Sequence, residues 1–192
     1  MSKNAMWLTI IFAAAIVGAF LGPSLGSLIG ETTMLILAPL FLIGVVAFCI
    51  WALSSNKNGK KADTAALAEA RAMRAPEGKG RIYITRRGFV AALQGMNVTL
   101  DGTATGQIKS GQMLMADVEP GTHRIQVGTA KAKLANAAEI DVDIGAGGVV
   151  VIDAMIEMGA LKGSVKLTRL DAAKARENVN ATALILWEVA PA

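Results

Sequence analysis

The chain of 192 residues predicts a membrane α-hairpin followed by an all-β domain: two transmembrane helices, then a small β-sandwich of about seven strands. Three observations carry this expectation. No charged side chain occurs from Ala5 to Ile29, or again from Met34 to Leu53. From Arg81 onward the apolar residues recur with period two, the signature of half-buried strands. Turn signals rich in Gly and Pro then punctuate the chain at short intervals.

An apolar helix needs roughly 20 residues to cross the hydrocarbon core, and each uncharged run is long enough. Gly30-Glu31-Thr32-Thr33 separates the runs, so a hairpin is expected over residues 1–56 with its turn at the membrane surface. Trp7 and Trp51 stand near the ends remote from that turn, where indole rings favour the interfacial belt. Gly18, Gly22, Gly26 and Gly30 recur at every fourth position and would form one smooth ridge, with Gly44 opposite on the second helix. Such a ridge is the expected contact for other membrane-protein subunits or for self-association. Pro23 interrupts it and predicts a kink. Lys3 alone makes a weak signal-peptide n-region, and the apolar core is longer than a cleaved signal needs. Cys49 is the only cysteine, which excludes an intramolecular disulfide.

The net charge is +4 and the sequence pI is near 9.4, but the bases are unevenly placed. Lys57, Lys60 and Lys61 follow the second run directly. Juxtamembrane bases are retained on the cytoplasmic side, so charge predicts a two-pass protein with both termini and the β-domain in the cytoplasm. The same three lysines are the expected contacts for anionic lipid headgroups, each worth about 1 kcal/mol near the surface. Nucleic acid is not an expected partner, because the bases track the membrane edge and base-stacking aromatics are scarce.

Residues 57–80 read as a basic, alanine-rich stalk. Asp63-Thr64 can cap a helix reaching about Arg74, and it must end before Pro76. The β-domain is expected over residues 81–170. Ile82 and Ile84 share one face, with Tyr83 and Thr85 on the other. Val98 and Leu100 lead into Asp101-Gly102, a two-residue hairpin signal, and a return strand runs toward Ile108. Residues 113–118 make a further strand before the turn Glu119-Pro120-Gly121. His123, Ile125 and Val127 alternate with Arg124 and Gln126, and Ile140, Val142 and Ile144 alternate with Glu139, Asp141 and Asp143. Residues 149–152 are apolar on both faces, as in a covered central strand. Val165 and Leu167 mark the last strand. In residues 171–192 Asp171 can cap a short helix, and residues 182–189 form an apolar tail too short to span a bilayer.

An ordered set of residues carries a resemblance. It comprises Gly80-Arg81-Ile82-Tyr83-Ile84-Thr85-Arg86, then Val98, Leu100-Asp101-Gly102 and Gly106, then Val118, Pro120-Gly121 and His123. In these the chain resembles a bacterial envelope family of unknown function, found mostly as small lipoproteins, and the related PEGA-type modules. The resemblance spans roughly residues 78–171 and implies a small Ig-like or PEGA-like β-sandwich and a periplasmic setting on a lipid anchor. This chain departs from it in having no lipobox before Cys49 and in its basic stop after the second apolar run. With charge as the guide, the expected location is a bacterial inner membrane, with the periplasm as the alternative for the β-domain.

No catalytic residues, cofactor site or metal site are expected. His123 is the only histidine, so histidine dyads and multi-histidine metal sites are excluded. Its place in phase with Ile125 and Val127 points to a structural hydrogen bond. Glu139, Asp141 and Asp143 lie about 6–7 Å apart along one strand face, a poor spacing for a shared cation. Gly145-Ala146-Gly147-Gly148 lacks the Lys and Ser/Thr of a phosphate loop. The expected function is a non-catalytic, membrane-anchored accessory or scaffold subunit with the β-domain as its interaction module. The alternative is a periplasm-facing module that binds envelope polymer or protein.

Overall fold

The computed structural model describes residues 31–57, 59–131, 135–157 and 163–191. The chain divides into two compact units, Met1–Ala52 and Leu53–Ala192. The first apolar run, with Trp7, Pro23, Gly18, Gly22, Gly26 and Gly30, lies outside the described residues.

Helix α1 covers Glu31–Leu53, with Pro39 inside it. The two-helix transmembrane anchor expected from the sequence is corrected here. Among the described residues no helix is long and apolar enough to cross a membrane. α1 opens on the polar Glu31-Thr32-Thr33 and carries Pro39 inside it, which removes one helical hydrogen bond. The two-pass inner-membrane location built on that anchor falls with it. Gly44 in α1 has nothing within 4 Å of where a Cβ would stand, so no neighbour packs on it among the described residues.

Among its described residues the second unit has ten strands in two sheets and two helices. In chain order they are α2 (Thr64–Ala72), β1 (Gly80–Arg86), β2 (Met96–Leu100), β3 (Ala104–Ile108), β4 (Gln112–Val118), β5 (Gly121–Thr129), β6 (Ala135–Asn136), β7 (Ala138–Ile144), β8 (Val149–Glu157), β9 (Gly163–Arg169), α3 (Ala172–Ala181) and β10 (Ala183–Leu184). One sheet has the order β10-β4-β1-β8-β9-β6, the other β3-β2-β5-β7. The expected seven-stranded sandwich is thus too simple, because helices cover the outer face of the larger sheet. The extra strands β6 and β10 are two residues each, too short to show a period.

The period-two pattern sets which side of each strand meets the core. Ile82 and Ile84 point between the sheets, where they meet residues such as Val98, Leu100, Ile125, Val127 and Ile152 in one apolar cluster. The hairpin at Asp101-Gly102 is a tight turn with both residues at positive φ, 53° and 72°, as a two-residue link of this kind requires. β1 pairs with β4 antiparallel and with β8 parallel, which puts it in the middle of its sheet.

All seven residues of β1 are buried, so its second face needs cover too. α2 and α3 supply it. Ala70, Ala175 and Val179 pack against Tyr83, Met113, Val151 and Leu184 in a second cluster. Small alanines let the helices approach the sheet closely. The segment expected as a stalk therefore contains a helix laid on the sheet. Asp63 caps α2 through Ala66 N at 2.7 Å, and Met73 ends it in the left-handed region at φ 50°. Asp171 caps α3 through Lys174 N at 2.9 Å.

Each outward side chain of β1 makes a polar tie. Arg81, only 1 % exposed, donates to Asp117 at 2.5 and 2.8 Å and to Glu69 of α2 at 2.6 Å. The bonds to Asp117 hold its guanidinium pKa above the usual value against the opposing pull of burial. Tyr83 Oη donates to the Ala70 carbonyl at 2.7 Å, and its phenol pKa is raised by burial. Thr85 Oγ1 donates to Asp153 Oδ1 at 2.9 Å, and Asn178 of α3 donates to both at 3.2 and 3.1 Å.

The apolar tail closes one edge. β10 pairs with β4, Lys61 bridges to Ile185, and Trp187 Nε1 donates to the Met115 carbonyl at 2.7 Å. Val189 then exchanges backbone bonds with Thr105 of β3 at 3.0 and 3.1 Å.

Two substitutions measure the two faces of β1. Ile84→Ala should destabilise the protein by about 3 kcal/mol, the usual range for a cavity in a packed core. Tyr83→Phe, which keeps the packing and loses one bond, should cost about 1 kcal/mol. Urea unfolding followed by tryptophan fluorescence checks both; equal costs would mean that the two faces are not packed as described.

Candidate functional site

Beyond Arg86 the chain leaves β1 and makes a loop, residues 87–95, before β2. Phe89 at its tip is 92 % exposed, the most exposed of the large apolar side chains among the described residues. Val90 and Leu93 beside it are 40 % and 43 % exposed. An apolar loop tip left in water is normally mobile, since nothing packs on it. This one is tied down from beneath.

Arg86 follows Ile82 and Ile84 in phase, so its side chain starts on the core side of β1 and is fully buried. Its guanidinium donates to the carbonyl oxygens of Gln94, of Ala91 at 2.6 Å and of Val90 at 3.4 Å. Among the described residues no carboxylate pairs with it. Burial lowers its pKa to about 10, which leaves it a cation at neutral pH. The fork of N–H donors suits several carbonyls at once, which a lysine could not match. Asn56 adds a second clamp, donating to the Leu93 carbonyl and accepting from Gly95 N, both at 2.6 Å. Ala91 sits at φ 49°, a strained position for a residue with a Cβ, held by these bonds. Gln94 is 5 % exposed, and its Nε2 is buried with no acceptor among the described residues. An unspent buried donor costs about 1–3 kcal/mol.

A second polar tie lies at the far side of the smaller sheet. His123 Nδ1 faces Asp101 Oδ2 at 2.7 Å and Nε2 faces the Glu119 carbonyl at 2.8 Å. Both partners accept, so both ring nitrogens must donate, and the geometry suits the imidazolium. Burial pulls the pKa down, but the bond to Asp101, the Glu119 carbonyl and the Asp101 charge together raise it above 6.5. The structural hydrogen bond to backbone expected for this residue is present, with the carboxylate added.

The acidic stretch on β7 is spread along an edge strand. Asp141 accepts from Arg124 Nε at 2.9 Å, and Asp143 accepts from Thr122 Oγ1. Among the described residues no group of three or more His, Cys, Asp or Glu is placed to hold a metal ion. Of the lysines expected at lipid headgroups, Lys57 pairs with Glu188 at 2.5 Å, while Lys60 and Lys61 flank the tail through backbone contacts. The sequence reading passed over residues 87–95 altogether. Its signal was present in Phe89-Val90-Ala91-Ala92-Leu93, an apolar run without period two between Gly88 and Gly95.

Residues 76–165 match the model of a family described as a protein of unknown function, DUF2846. No curated protein matches the chain. The matched stretch contains β1, the Phe89 loop and His123, and its description attaches no activity to them.

Two outcomes follow from these ties. Gln94→Met removes the unspent donor at nearly constant volume and should stabilise the protein by about 1 kcal/mol, read as a higher urea midpoint; a loss would show that Nε2 is satisfied. His123, with its folded pKa raised, contributes stability that is complete below about pH 6.5 and is lost as pH rises through the folded pKa. Unfolding free energies from pH 5 to 9 should fall across that window in the native protein, and His123→Gln should remove this component of the slope.

Proposed function

We propose that the domain is a non-catalytic interaction module and that it docks through the loop 87–95, with the Phe89 ring entering an apolar pocket on a partner protein. The observation that carries this reading is a fully buried cation spent on holding an exposed aromatic tip in one shape. Binding costs less when the contact loop is ordered beforehand, and aromatic anchors seated in pockets are the usual centres of binding energy. The strained Ala91 and the unspent Gln94 donor sit in the same loop, and local strain gathers where a surface has work other than folding. The polar side chains buried elsewhere on β1 are committed to structural ties. The turn-and-strand resemblance noted in the sequence accords with this, since it concerns fold and carries no chemistry.

The test places a photo-crosslinking phenylalanine analogue at position 89, and at Thr103 as a control, in the full chain inside its native cell. A discrete adduct at 89 and none at 103 is expected, and Phe89→Ser should abolish co-purification of the crosslinked protein while leaving the unfolding midpoint unchanged. Identical adducts at both positions, or undiminished association of Phe89→Ser, would overturn the proposal.

A further inference from the structure

At the opposite end of β1 from the Phe89 loop, the helical cover is incomplete. β1 and β8 run parallel with Arg81 beside Val149, so this end lies about 17 Å from Arg86 at the usual strand rise. α2 ends at Met73, whose left-handed backbone turns the chain off the sheet, and α3 begins only at Ala172. Between them lies a cleft of about 250 Å³. Its apolar lining includes Val149, Val151 and Leu170, and Arg169 and Arg176 also line it.

The charge of this cleft is one-sided. No acidic residue lines it, and neither guanidinium has an ion pair or hydrogen bond among the described residues. Arg71 is committed elsewhere, donating to the Asn180 carbonyl. The nearest carboxylate in sequence, Asp171, is occupied in capping α3 and lies 3.6 Å from Lys174 Nζ. Two guanidiniums with no partner among the described residues, beside the small apolar surface that Val149 and Leu170 leave open, match a ligand that is anionic at one end and carries a short aliphatic group at the other. Guanidinium forks suit planar carboxylates in particular. At ~30 Å³ per water-sized group the cleft has room for about eight such groups.

We infer that the cleft between the end of α2 and the start of α3 binds a small aliphatic carboxylate, with Arg169 and Arg176 holding the anion and Val149 and Leu170 receiving the carbon chain. The carboxylate is either a free short-chain acid or the C-terminus of a peptide ending in an aliphatic residue. This site is separate from the docking loop and does not depend on it.

Calorimetric titration of the full chain with pentanoate, and with pentanamide as its uncharged counterpart, tests the inference. Saturable pentanoate binding is expected, at least tenfold tighter than pentanamide. It should weaken at least tenfold in Arg169→Gln/Arg176→Gln, whose unfolding midpoint reports that the fold is kept. Titration with a tripeptide ending in free Val, against its amide, separates the two sources: tighter binding than pentanoate assigns a peptide terminus, and equal or weaker binding a free acid. No saturable binding up to tens of millimolar, equal binding of pentanamide, or unchanged binding by the folded double variant would each overturn the site. If the double variant does not fold, Arg176→Gln alone, at an exposed helix position, replaces it with the same criteria.

Discussion

Everything in the domain depends on β1 being buried on both faces. A strand in that position must satisfy two different environments with alternate residues, and β1 does so with two different chemistries. Ile82 and Ile84 enter the apolar layer between the sheets. Arg81, Tyr83 and Thr85 face the helices and tie Glu69, the Ala70 carbonyl and Asn178 in turn. The apolar face supplies most of the free energy, since burial scales with area and is indifferent to direction. The polar face supplies register: each tie is short, and a helix shifted by one turn would leave a buried donor or charge without its partner.

The same logic explains why part of the structure was legible in the sequence and part was not. Alternation at Ile82 and Ile84, the Asp101-Gly102 turn and the Pro120-Gly121 turn are local signals, and the strands and turns they announce are present. Arg81 and Thr85 look from alternation like a solvated face. They are buried only because α2 and α3, distant in sequence, fold back over them, and no local pattern announces that. The helices themselves are alanine-rich, which reads as a spacer until a sheet is available to pack on. The uncharged run 34–53 shows the reverse error. Its composition suggested a span, yet among the described residues no helix is long and apolar enough to cross a membrane.

The Phe89 loop was missed for a physical reason as well. Sequence patterns identify residues that ought to be hidden, and a short apolar run is assigned to the core by default. What marks this loop is the disposition of Arg86 beneath it, a cation directed at carbonyl oxygens in place of a carboxylate. That arrangement exists only once the strand has placed the side chain under the loop. The cleft beside Arg169 is equally invisible in one dimension, because Met73, Val149 and Arg176 come from three separated segments.

The pairing of the tail with residues 60–62 has a mechanical consequence. The segment leading into the domain and the segment leading out of it are antiparallel neighbours: Lys57 meets Glu188, the Lys60 carbonyl meets Leu186 N, and Ala62 N meets the Leu184 carbonyl. Tension applied through the two flanking ends would therefore load these contacts one after another, like a zipper, and not all together in shear. The domain would yield to a pull along its own chain at low force, shedding the tail from β4 first, while the two-faced strand at its centre stayed folded.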